Sequence, residues 1–131
     1  MYHENELILV TERIVKQEQL FITFRINENH TLFEEHFPNF PILPASYLIN
    51  FLLNSLVFLE SAKFHKAQIN KCQLLFTPKI KNLNISLIKA LMPNHKYLAR
   101  INLSTKDDSI VFAILQNGRR YATGNFLIED E

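Results

Sequence analysis

The chain has 131 residues, 47% of them hydrophobic, and a formal net charge of +1, which is enough apolar sequence to bury a core without staples. Its single cysteine, Cys72, excludes an internal disulfide, and no Cys/His cluster has the spacing of a zinc site. No segment reaches the roughly 18 to 20 apolar residues that span a bilayer, and MYHENELILV carries acids where a secretory leader needs bases, so a cytoplasmic protein with no membrane span is expected.

In chain order, ELILVTERIV and QLFITFRIN read as two strands separated by the polar KQEQ. The second alternates Phe21, Thr23 and Arg25 against Leu20, Ile22 and Phe24. The segment ENHTLFEEHFPNFPILP reads as a stiff loop, because Pro38, Pro41 and Pro44 each remove a donor and push the preceding residue to extended geometry. Helix is not expected from Glu35 to Leu43. After Pro44, a residue suited to a helix entry, ASYLINFLLNSLVFLESAK reads as one long helix, apolar on nearly every side and therefore buried all round.

Four β-rich runs follow: AQINKCQLLFTP, NLNISLIKAL, KYLARINLS and IVFAILQ-NGRR-YATGNFLI. Asn117-Gly118 in the last is a hairpin turn signal. The order predicts an α+β fold, an antiparallel sheet wrapped around one long central helix, in a single domain over 1–131.

Ser46, Asn50 and Asn54 are spaced by four and form a polar stripe on the predicted helix. Buried amides and hydroxyls need partners, so the stripe should face a ligand, water or another protein group. Charge is also uneven. From Ser61 to Lys106 there are nine Lys or Arg and no acid, whereas Met1 to Glu60 holds eight acids against three bases. Such asymmetry can steer an acidic partner, or it can reflect solvated strand faces. Nucleic acid is not expected as a partner, since no basic run interleaves with aromatics.

HFPNFPILPASYLINFLLN resembles the signature of the β-hydroxyacyl-acyl-carrier-protein dehydratases, hot-dog-fold proteins whose pattern runs F-x-G-H-F-P-x-x-P-x-[ML]-P-G. Phe33, His36, Phe37, Pro38, Pro41, Leu43 and Pro44 match it without a gap. The variant is most similar to the branch found with aryl-polyene and related fatty-acid-like pathways. The resemblance implies two subunits side by side with an acyl tunnel between them, and a substrate carried on phosphopantetheine with no further cofactor. It implies an acyl-carrier-protein or CoA thioester as partner. In the family a histidine takes the α-proton of a 3-hydroxyacyl thioester, and an acid 14 residues later, from the other subunit, helps the hydroxyl leave.

Carried over residue by residue, the base is His36, and the oxyanion donor is the N–H of Ala45 at the helix N-terminus. Phe37, Pro44 and Asn54 are the candidate substrate-binding positions. The acid's place is taken by Asn50, which can hold a hydroxyl or a water but cannot deliver a proton. Two family glycines are replaced by Glu35 and Ala45, and Glu35 is a candidate substitute acid. Three readings follow: a dehydratase in which His36 moves the proton and Asn50 orients substrate; a catalytically weak acyl- or carrier-binding subunit that pairs with a competent hot-dog homologue; and a thioesterase on the same fold. Homodimer, higher oligomer and heterodimer all remain open. His3, His30, His65 and His95 read as solvated or turn residues and Cys72 as a small core residue, whereas Phe33, Phe37 and Phe40 fit core and tunnel lining equally.

Overall fold

The computed structural model describes residues 6–17, 19–35, 41–56, 80–103 and 109–128. Within them lie β1 (Ile8–Lys16), β2 (Gln19–Ile26), α1 (Thr31–Glu35), α2 (Ala45–Ser55), β3 (Ile80–Leu87), β4 (Lys96–Leu103), β5 (Ser109–Gln116) and β6 (Arg119–Ile128). The strands form one six-stranded sheet in the order β1-β2-β4-β5-β6-β3, every pair antiparallel. The predicted strand AQINKCQLLFTP, His36, Phe37, Phe40 and Cys72 fall outside the described residues.

Alternation decides which side of the sheet is dry. Leu20, Ile22, Phe24 and Ile26 of β2 are buried, and they face Ile101, Ala99 and Tyr97 of β4, which continue to Ile110, Phe112 and Ile114 of β5. α2 lies on this face. Leu48, Leu52 and Leu56 join the same core cluster, and the Phe51 ring sits 5.0 Å from that of Phe24. The expected α+β arrangement, a sheet packed on a helix, is therefore present.

Local chemistry explains the irregularities. β1 loses alternation at a bulge between Val10 and Glu12, where the extra residue, Thr11, bonds its hydroxyl to the Thr23 carbonyl at 3.2 Å. Asn117 and Gly118 both take positive φ, 52° and 78°, the geometry of a tight two-residue hairpin turn, and Gln116 pairs with Arg119 across it. Gly124 has no room for a side chain: a Cβ there would meet the Asn84 carbonyl oxygen and approach Phe112 Cζ to 2.6 Å.

Three expectations change. A short helix, α1, occupies part of the expected loop: His30 starts it, its Nδ1 accepting from the Leu32 amide at 3.0 Å and its carbonyl from the Phe33 amide at 3.1 Å. The prolines restrict only Phe37 onward, so they leave that turn free. α2 is not buried all round, for Ser46, Tyr47, Asn50 and Asn54 are exposed. Last, β3 begins at Ile80 and ends at Leu87 rather than covering NLNISLIKAL, because a bulge between Lys81 and Asn84, with Asn82 at φ 55°, shifts its phase.

Candidate active site

The entry to α2 is fixed from two sides. Pro44 is extended (φ −64°, ψ 148°) and serves as the N-cap without any side-chain hydrogen bond. Its carbonyl accepts from the amides of Tyr47 at 3.1 Å and Leu48 at 3.3 Å. The preceding residue, Leu43, is buried, and its amide donates to the Leu91 carbonyl at 2.8 Å. Leu91 in turn belongs to a connection between β3 and β4 that Tyr97 clamps. The Tyr97 hydroxyl accepts from the Met92 amide at 2.9 Å and donates to the Met92 carbonyl at 3.4 Å. Burial pushes the Tyr97 phenol above its ordinary value; the Met92 bond works against this and nearby Tyr121 adds to it. The clamp is therefore a neutral hydroxyl.

Among the described residues no side chain caps α2, and the first-turn amides of Ala45 and Ser46 have no described acceptor. Ala45 is half-buried there. The helix dipole adds partial positive charge at the same place. The arrangement can stabilise an oxygen on which negative charge develops.

Asn50 and Asn54 lie one and two turns further along. Both are exposed in this protomer, so the polar stripe with Ser46 points away from the core. Of the surroundings expected for the stripe, a ligand, water or another protein group, it meets water in this protomer, and a carboxamide in water has its hydrogen bonds already; the burial expected for the helix on that side is what is corrected. The buried polar group of α2 is instead Ser55, whose hydroxyl donates to the Phe51 carbonyl at 2.8 Å. Sequence reasoning passed over it, although a serine four residues after a carbonyl on a helix is a known self-satisfying pair.

A groove of about 490 Å³ lies beside the proline-rich motif, lined by Glu28, Phe33, Glu34, Pro41, Met92 and Asn94 among others. Asn94, at φ 68°, donates to Glu28 Oε2 at 2.6 Å across it. Phe33 is both core and groove wall, 5% exposed. The described residues thus bring Phe33 and Pro41 of the motif together and place Pro44 and Ala45 at the helix start. Asn50 and Asn54 do not line this groove. Among the described residues no three His, Cys, Asp or Glu converge as a metal site, and no helix is long and apolar enough to cross a membrane.

A search of curated proteins by sequence found no match. By structure the chain is similar to the dehydratase heterocomplex ApeI:P from Xenorhabdus doucetiae, with a TM-score of 0.70 at 16% identity over 93% of this chain and 97% of that one. An uncharacterised protein from Erwinia carotovora subsp. atroseptica gives 0.69 at 14% identity, over 95% and 97%. An HP0420 homologue from Helicobacter felis gives 0.54 at 12%, over 92% and 76%. These likenesses establish the fold alone. Residues 12–125 match the ApeI-like family, described as ApeI dehydratase, and a match over that much of the sequence means that this hot-dog chain belongs to the ApeI-like dehydratase family.

Proposed function

We propose that the protein eliminates water from a 3-hydroxyacyl thioester. The observation that carries this reading is the uncapped start of α2 directly after Pro44, with the Asn50 carboxamide exposed on the following turn. The His36 imidazole takes the proton from the α-carbon, since its ordinary pKa lies near working pH. Electron density moves to the thioester oxygen, to which the Ala45 N–H donates a hydrogen bond. As the double bond forms, the β-carbon to oxygen bond breaks. The imidazolium returns its proton to the departing hydroxyl, and water leaves.

Asn50 has the role of a holder rather than a donor of protons. Its exposure suits a subunit boundary, with the carboxamide of one protomer reaching the histidine of its neighbour. Phe37, Pro44 and Asn54 line the acyl path in this proposal, and the thioester is delivered in the cytoplasm by acyl carrier protein or CoA.

A second reading is favoured by one specific feature, the carboxamide in place of an acid. In it the chain is one half of a heteromeric hot-dog pair whose other subunit supplies the carboxylate. The similar structure from Xenorhabdus doucetiae is described as a heterocomplex. Incubating the purified protein with a 3-hydroxyacyl thioester separates the readings. Enoyl thioester from the protein alone supports the first, product only after adding a second hot-dog subunit supports the second, and free thiol without enoyl product points to a thioesterase.

A further inference from the structure

The face of the sheet turned away from α2 carries mostly one sign of charge. The pairing register fixes which residues share it. One row runs Phe21, Arg100, Ala113, Thr123, Ser86. The next row, toward the end of the sheet where Leu43 meets Leu91, runs Thr23, Leu98, Leu115, Arg120, and beyond it Arg25 pairs with Lys96. Arg25, Lys96, Arg100 and Arg120 are all exposed, and none has an ion-pair partner among the described residues. The carboxylate in these rows is Glu12, out on β1 beside Thr23. Between Arg100 and Arg120 lies a concavity of about 350 Å³ into which Ser86, Thr123 and Asn125 also project. Small Ala113 forms part of its floor.

We infer that this half of the outer face docks a protein that presents clustered carboxylates. Guanidinium groups bind carboxylates in paired hydrogen bonds, and the hydroxyls beside them supply further donors. Half-buried Leu98 and Leu115 sit amid the cations, which is the apolar centre and charged rim of a protein interface. A membrane surface would call for long or aromatic apolar groups standing proud of the cations, and the exposed apolar groups around these rows are the compact Ile14 and Val111. A nucleic acid strand would call for exposed aromatic platforms, whereas Phe21, the aromatic of these rows, is half-buried. The inference rests on the proposed reading in one respect: a protein-borne thioester needs a docking face outside the acyl path, and these rows end beside the connection that anchors α2.

The test compares the intact protein with the Arg100→Glu/Arg120→Glu double variant, using holo-acyl carrier protein as the probe. Calorimetric titration should show affinity reduced about tenfold or more in the variant, and binding by the intact protein should weaken with salt. The KM for a carrier-borne 3-hydroxyacyl thioester should rise while kinetics on the pantetheine thioester stay unchanged. Unchanged carrier affinity overturns the inference, as does equally tight binding of duplex DNA or phosphatidylglycerol vesicles that the same substitutions abolish. Titration reads docking without turnover, so failure of the elimination reading shows separately, as no enoyl product from either substrate. Should the double variant not fold, Arg100→Gln/Arg120→Gln supplies the same comparison.

Discussion

The Leu43 amide donates to the Leu91 carbonyl at 2.8 Å, so the residue before Pro44 is held by a connection 48 residues away in sequence. Any change that loosens that connection should be felt at the start of α2.

Tyr97→Phe is the cleanest such change. The ring contacts with Phe24 and Tyr121, at 5.7 and 5.5 Å, survive, but the Met92 amide loses its acceptor. A part-buried amide left unpaired costs about 1 to 2 kcal/mol. Urea unfolding should show a lower midpoint with an unchanged slope, and turnover of a 3-hydroxyacyl thioester should fall with it.

The same phenol predicts an alkaline limit to stability. Its pKa is raised above 10.0, chiefly by burial, so between that value and the raised one the folded state holds a proton that the unfolded state has released. Stability is therefore fully present below pH 10.0 and is lost as pH climbs through the folded value. A pH series of urea midpoints should decline above that point, and the decline should be shallower in Tyr97→Phe.

Gly124→Ala tests the close approach of β3 to β6. The new methyl meets the Asn84 carbonyl oxygen, which is backbone, and the Phe112 ring. Overpacking of this kind costs about 1 to 3 kcal/mol. Gly118→Ala meets open space but keeps φ at 78°, so it should cost about 1 kcal/mol. Thermal melts of the two variants should rank them in that order.

If the proposed elimination uses the His36 imidazole as base, His36→Ala should lower kcat by about a hundredfold or more. Asn50→Ala should lower it less, about tenfold, because a holder of the hydroxyl is lost rather than a proton carrier. Asn50→Asp sits at an exposed helix position and should leave the melting temperature nearly unchanged while raising turnover. Equal activity of Asn50→Ala and the intact protein would remove Asn50 from the site.

Strands β2, β4, β5 and β6 were legible because period-two patterning and an Asn-Gly turn are local signals with local causes. The exposed side of α2 was not. The Ser46, Asn50 and Asn54 stripe marks it, but the apolar residues of LINFLLNSLVFL are so dense around the stripe that it reads as buried, whereas even Phe51 and Leu53 are only half-buried. α1 escaped notice because an imidazole capping a helix is outside the usual Ser, Thr, Asp and Asn set. β3 was displaced because a bulge with a left-handed asparagine breaks the alternation by which a strand is recognised. As to the site, Pro44 and Ala45 stand at the predicted helix entry, while a group supplied by a second protomer, as proposed for Asn50, leaves no trace in one chain beyond an exposed side chain.

With two glycines in the whole chain, the left-handed corners at Gln17, Asn82, Asn94 and Asn117 are turned by residues bearing side chains. Asparagine tolerates that region better than most residues, and glutamine has no such aptitude. The tip of the β1-β2 hairpin, φ 57° at Gln17, is therefore an untapped reserve: a glycine there would relax the loop without disturbing anything on the inner side of the fold.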